Sequence, residues 1–177
     1  MSLAGFKSSN HPQQTSKRGA RDDVDDRGTD QSFFDATSER FGGFTLDVAA
    51  APHNAKCSDY LTREDDGLAK DWLTQTGAGR VWCNPPYSNI RAWVEKAHEQ
   101  WSDGHAELIV MLLPANRVEQ RWWQDLVEPF RDGKGGHRFL TVEFLPGRMR
   151  FDRPDWTPGP KGDRPPFGCC LLIWERQ

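Results

Sequence analysis

Apolar positions along this chain gather into short runs of two periods. Residues 44–50, 80–83, 107–114, 139–145 and 167–175 are brief, apolar or β-branched, and bounded by turn residues, which predicts strands. The run 107–114 has no polar interruption after Glu107, as in a sheet covered on both faces. Asp59-Tyr60-Leu61-Thr62 is a weaker strand. Ile90, Trp93, Val94, Ala97 and Trp101 recur at helical spacing, which predicts an amphipathic helix over 90–101. A second helix is expected over 118–130, and a short one over 32–41 is closed by Gly42-Gly43. Residues 67–73 read as a short helix or turn, 147–151 as a hairpin partner or loop, and 153–166 as a Pro/Gly-rich surface loop. Strands alternating with helices predict an α/β fold, a mostly parallel sheet with helices on both faces.

Residues 1–30 carry five basic and five acidic residues and almost nothing apolar. Such a segment buries too little surface to offset its ordering entropy, so a disordered tail is expected there and one domain over 31–177. No apolar run approaches the ~20 residues of a membrane helix, and no charged-then-apolar leader opens the chain. The expectation is a soluble, cytoplasmic protein without a membrane partner, with a monomer as its assembly. The four cysteines, Cys57, Cys83, Cys169 and Cys170, form no C-x-x-C pair. All are expected reduced, and no metal site is expected. Net charge is −3, which excludes a polycation that coats nucleic acid. The charge is uneven: residues 31–116 hold 7 Lys/Arg against 12 Asp/Glu, and residues 117–164 hold 10 against 8.

Composition leaves the chemistry open, and one local constellation narrows it. Asn84-Pro85-Pro86-Tyr87 follows the apolar strand at 80–83, where ligands of open α/β sheets bind. An exocyclic or amide nitrogen is a poor nucleophile because its lone pair is delocalised. Two acceptors aimed at its N–H bonds draw the lone pair back and favour the geometry of attack. The Asn84 side-chain carbonyl and the Pro85 main-chain carbonyl are candidates for that pair, with Pro86 fixing the turn. Tyr87 offers a face on which a planar base stacks. A Pro-rich turn that merely ends a strand is the bland alternative. An amine hidden in duplex DNA has to be flipped out to reach such a pocket.

The partner of this acceptor site is less local. Asp47 lies near the carboxyl end of the first strand, the usual place for a nucleotide-type cofactor, with a buried or capping Asp as the alternative. Asp65 and Asp66, after the second strand, are candidates to accept from ribose hydroxyls, against a solvated acidic loop. Asp71 is a further candidate of the same kind. No G-x-G-x-x-G is present, which disfavours a dinucleotide site.

Taken in order, several segments resemble the phage and prophage DNA N6-adenine methyltransferases, the Dam-like family. They are Ser32-Phe33-Phe34-Asp35, Leu46-Asp47-Val48-Ala49-Ala50, Asn54-Ala55-Lys56-Cys57 and Asp66-Gly67-Leu68, then Trp82-Cys83-Asn84-Pro85-Pro86-Tyr87-Ser88, Met111-Leu112-Leu113-Pro114-Ala115 and Gly147-Arg148-Met149-Arg150-Phe151. The resemblance implies a Rossmann-like S-adenosylmethionine-dependent methyltransferase fold, S-adenosylmethionine as methyl donor near Asp47, Ala49 and Ala50, and adenine in double-stranded DNA as acceptor. For a phage or prophage protein it also implies the bacterial host cytoplasm.

The chain departs from the family pattern at two places. Ala49-Ala50-Ala51-Pro52-His53-Asn54 stands where a glycine-rich turn is usual, and Gly28-Thr29-Asp30-Gln31 where Trp-x-Thr-Pro is frequent. With no sizeable separate recognition domain, duplex contact is expected from Arg148, Arg150 and Arg153, against ordinary surface charge as the alternative. Two other function classes share the turn: protein glutamine N5-methyltransferases, and a non-catalytic DNA-binding module that has lost the donor.

Overall fold

A computed structural model describes residues 28–152 and 165–175. The tail expected over 1–30 lies, up to residue 27, outside the described residues, and so do Arg153 and most of the Pro/Gly loop. Strand β1 (Gly28–Thr29) precedes helix α1 (Gln31–Arg40), so the folded chain takes in residues ahead of Gln31. Asp30 caps α1 by accepting from Phe33 N–H at 3.0 Å, and Gly42 and Gly43, both at positive φ, turn the chain away from its end.

Then come β2 (Leu46–Asp47), β3 (Asp59–Tyr60), β4 (Leu73–Thr74), β5 (Gly77–Cys83), α2 (Ile90–Ser102), β6 (Ala106–Pro114), α3 (Arg121–Leu126), a 3-10 turn (Lys134–Gly136), β7 (Leu140–Phe144), β8 (Phe151–Asp152) and β9 (Cys169–Glu175). The main sheet runs β3-β2-β5-β6-β9-β7. The β3-β2, β2-β5 and β5-β6 pairs are parallel, while β9 is antiparallel to both β6 and β7. The expected mixed α/β architecture with a mostly parallel sheet is therefore observed. Its loops after β2, β3, β5, β6 and β7 all emerge at one end.

Alternation along the central strands builds two cores. Val81, Cys83, Ile109, Met111, Leu113, Cys170, Leu172 and Trp174 face one way, against Ile90, Trp93, Val94 and Ala97 of α2 and Trp122 and Trp123 of α3. Trp82, Leu108, Val110, Leu112, Leu171 and Ile173 face the other way, where Phe34 of α1 meets Trp82 edge-on at 5.4 Å. Helices thus cover both faces, which is why β6 after Glu107 and β9 before Glu175 lack polar positions.

Two elements differ from expectation for identifiable reasons, and a third takes the second of its two expected forms, a loop. The strand expected over 44–50 is a ladder only at Leu46–Asp47; after it the Asp47 carboxylate accepts from Ala49 N–H and bends the chain, though Val48 and Ala50 still donate to the Trp82 and Leu61 carbonyls. The helix expected over 118–130 is confined to Arg121–Leu126; Pro129 lacks an N–H and disfavours a helical residue before it. The segment 147–151 is no partner of β7; Phe151–Asp152 pairs instead with Gly28–Thr29.

Candidate active site

Cys83 is the last ladder residue of β5, opposite Met111 of β6, so Asn84 is the first residue beyond the sheet. Pro85 is buried, and Asn84, Pro86 and Tyr87 are half-buried. Asn89 N–H donates to the Pro86 carbonyl at 3.2 Å, which closes the turn into the start of α2. Prolines suit this strand end, where an N–H would have no ladder partner. The Tyr87 ring touches both cores and sits 6.2 Å from Phe151 at 89° and 6.3 Å from Phe167 at 60°. Its main-chain carbonyl accepts from Arg117 Nη1 at 3.4 Å.

One strand over, β2 pairs with β5 so that Asp47 stands opposite Trp82. Asp47 is only 3% exposed. Its Oδ1 accepts from Ala49 N–H at 3.3 Å and its Oδ2 from Lys56 N–H at 3.0 Å. Burial outweighs these bonds and pushes the carboxyl up to about 6. The Asp47 side chain therefore clamps the two ends of the 49–56 loop. Inside that loop Ala50 N–H donates to the Leu61 carbonyl at 3.0 Å and Ala51 N–H to Asn54 Oδ1 at 2.7 Å. Side-chain caps shape here the turn that glycines would otherwise make.

The loop after β3 lies directly on this turn. A Cβ at Gly67 would stand 2.3 Å from the Val48 carbonyl oxygen and 3.0 Å from the Trp93 ring, so only glycine allows the approach. Asp66, at φ 55, is exposed, and its Oδ1 accepts from Leu68 N–H at 3.2 Å. Asp65 Oδ2 accepts from Thr62 N–H at 2.9 Å and from Thr62 Oγ1 at 2.8 Å, bonds that hold its carboxyl below the usual range. Asp71 is elsewhere. Its carboxylate is 3.4 Å from His105 Nδ1, and the His105 carbonyl accepts from Gly79 N–H near the start of β5. Asp47, Ala49, Ala50 and Asp66 are thus gathered beside the Asn84 turn, Asp65 faces Thr62, and Asp71 lies at the opposite end of the sheet.

Arg148 and Arg150 are exposed on the loop that runs from β7 to Phe151, and so to Tyr87. Two further residues at this end escaped the sequence reading. Thr29 is 2% exposed, its hydroxyl has no hydrogen-bond partner among the described residues, and it stands opposite Phe151 in the β1-β8 pair. Two residues of strand carry no periodic signal, and the only mark on Thr29 in the sequence is its place in Gly28-Thr29-Asp30-Gln31, where the family pattern is departed from. Arg117, three residues past the end of β6, was visible as the first cation of the basic half.

Residues 16–135 match the family model of the DNA N-6-adenine-methyltransferases (Dam). The chain is 40% identical over 77 residues to the DNA N-6-adenine-methyltransferase of Escherichia phage T1, covering 44% of this chain and 30% of that protein. It is 42% identical over 71 residues to the protein of the same name from Haemophilus phage HP1, covering 40% and 38%. Over 61 residues it is 39% identical to the putative methyltransferase YfdM of Escherichia coli, covering 33% and 67%. The chain thus matches about a third of the length of its two phage relatives. No solved structure matches it significantly. The family match spans more than half of a chain that carries Asn-Pro-Pro-Tyr at a strand end, and the chain belongs to the DNA N-6-adenine-methyltransferase family.

Proposed function

We propose that the chain is an S-adenosylmethionine-dependent methyltransferase that modifies the N6 amine of an adenine flipped out of duplex DNA, on a Rossmann-like methyltransferase fold. The observation that carries this reading is the side-by-side exit of two turns from neighbouring parallel strands, the Asp47 turn from β2 and the Asn84 turn from β5. Ligands of open α/β sheets lie at such carboxyl ends.

The residues present fit a donor over the β2 turn. The buried hydroxyl of Thr29 lacks a partner among the described residues, the kind of group a bound ligand satisfies. Asp66 is exposed where a ribose hydroxyl needs an acceptor, and Gly67 keeps the loop close. Asp47 acts by holding the main chain of Ala49 and Ala50 in place, and Asp65 by capping its own loop. Asp71 has no part. When bound, S-adenosylmethionine supplies an electrophilic methyl carbon.

Asn84 and the Pro85 carbonyl accept from the two N–H bonds of the adenine amine, which localises its lone pair for attack. Pro86 fixes the turn, and the Tyr87 ring is the face that receives the flipped base. Arg148 and Arg150, with Arg153 beyond the described residues, hold duplex phosphates. The site of action is the cytoplasm of a bacterial host.

Transfer of labelled methyl from S-adenosylmethionine to defined duplex DNA, read by sequencing for modified adenine, tests this directly. Asn84→Ala is expected to lower turnover by about 100-fold or more, the usual loss for one preorganised polar contact at a reacting centre. Replacing Arg148 and Arg150 together should weaken DNA binding and reduce its salt slope by about two. Label on protein and none on DNA would overturn the acceptor, and a chain that binds DNA but no donor would be a non-catalytic module.

A further inference from the structure

Two kinds of arginine stand among the described residues. Arg40, Arg80, Arg91, Arg121 and Arg131 each pair with a carboxylate. Arg117, Arg148 and Arg150 have no carboxylate within ion-pair range among the described residues, and all three lie on loops at the carboxyl end of the parallel strands. Arg148 and Arg150 are exposed, as phosphate-seeking arginines on a rim usually are. Arg117 differs from them because it is half-buried and because its guanidinium already reaches the catalytic turn, donating from Nη1 to the Tyr87 carbonyl at 3.4 Å.

A half-buried guanidinium that meets a carbonyl and no carboxylate among the described residues keeps donors available for an anion. Guanidinium has five N–H donors in a rigid fork, and one contact to a carbonyl leaves enough of them for a bidentate phosphate. A nucleotide whose base reaches Asn84 brings its own backbone phosphates to the mouth of the turn, where Arg117 stands. The Tyr87 ring also meets Phe151 edge-on, at the end of the loop that carries Arg148 and Arg150. Two separate loops that carry cations therefore meet at Tyr87.

We propose that Arg117 binds a backbone phosphate next to the flipped adenine and, through its bond to the Tyr87 carbonyl, ties that phosphate to the turn that holds the base. This rests on the proposed DNA activity and adds to it a binding residue and its ligand class, a DNA phosphodiester. Arg117 is not needed to hold the fold, since Tyr87 is also packed by its ring and α2 begins at its own closed turn.

The test uses an oligonucleotide duplex containing an adenine that the wild-type protein methylates. Each phosphate flanking it is replaced in turn by an uncharged methylphosphonate, and binding and single-turnover transfer are measured for wild type, Arg117→Ala and Arg117→Lys. Loss of a charged hydrogen bond predicts binding weakened about 10-fold or more in Arg117→Ala, with the salt slope lowered by about one. At one flanking position the neutral linkage should weaken wild-type binding and leave Arg117→Ala unchanged. Arg117→Lys should fall between, because it keeps the charge and loses the fork. Equal penalties for Arg117→Ala with neutral and charged linkages at every position would overturn the assignment, as would an unchanged salt slope. If wild type modifies no DNA at all, the parent reading falls with it; if wild type modifies DNA and only these Arg117 effects are absent, the inference alone falls.

Discussion

Replacing Asp47 by Asn should change stability by an amount that depends on pH. In the folded chain the Asp47 carboxyl is pushed from its ordinary 3.8 to about 6, chiefly by burial. The folded state therefore holds this proton more tightly than the unfolded state. The group's contribution to stability is full below about pH 4 and is lost as pH rises towards and through 6. A shift of about two units corresponds to roughly 3 kcal/mol, of which roughly 2 kcal/mol falls between pH 4 and pH 7. Asn is neutral throughout. It keeps one carbonyl for one of the two amides of Ala49 and Lys56 and leaves the other facing an NH2 group, at a cost of about 1–3 kcal/mol.

The variant should accordingly be less stable than wild type at pH 4 and close to it at pH 7, where relief of the buried charge offsets the lost bond. Urea unfolding at several pH values, followed by the fluorescence of the eight tryptophans, measures the difference directly. Titrations of all other groups cancel in that difference. A wild-type-minus-variant stability constant to within about 0.5 kcal/mol from pH 4 to pH 7 would refute the reasoning, since experimental error alone is of that order.

Three further outcomes follow from the same geometry. Gly67→Ala places a methyl 2.3 Å from the Val48 carbonyl, so the 62–68 loop must lift off the β2 turn; a loss of about 1–3 kcal/mol by denaturation, with weaker donor binding by calorimetry, is expected. Thr29→Val removes a buried hydroxyl that has no partner among the described residues, so the ligand-free protein should gain about 1 kcal/mol while donor affinity falls; gain without loss of affinity would remove Thr29 from the donor site. Burial pushes the Cys57 thiol up to about 12, Cys169 to about 11 and Cys170 to about 12, and raises Cys83 well above its ordinary value, so a disulfide reagent at pH 8 should label the folded chain slowly and the urea-unfolded chain at once.

The central strands and α2 could be read from the chain because their signal is local. Residues 108–114 and 169–174 are covered on both faces and so are apolar throughout, and Ile90, Trp93, Val94 and Ala97 mark one face of one helix. The Asn84 turn was legible for the same reason, being four consecutive residues after a strand. The donor side was not, because it is assembled from separate segments. Asp71 follows the acidic stretch 64–66 closely in sequence, yet the chain descends from the β2 turn at Gly67 to the amino end of β5 near Trp72, and carries Asp71 away from the site. Thr29 meets Phe151 through a pairing of two residues on each side, below the length at which periodicity can be seen. Asp47 was noticed as a carboxylate within a strand, but its use as a clamp depends on Lys56, nine residues further on.

On the proposed reading, the division between core and loops also divides the kinetics. The β2 and β5 turns leave hydrogen-bonded neighbours about 4.8 Å apart, so the packing of Val81, Trp82 and Cys83 sets how the donor turn and the acceptor turn face one another. That separation exists before either ligand arrives, and such preorganisation acts on the reacting atoms. Arg117, Arg148 and Arg150 belong to loops outside the ladder and can follow the duplex without disturbing it. A trimmed core residue such as Val81→Ala should therefore lower the rate of methyl transfer at saturating DNA and leave the salt dependence of DNA binding as it was. The loop arginines should do the reverse, raising KM for DNA and flattening its salt dependence while the transfer rate at saturation changes least for Arg148 and Arg150, which do not touch the catalytic turn. A core variant that altered DNA affinity as much as the arginine variants would show that recognition and chemistry share one rigid unit.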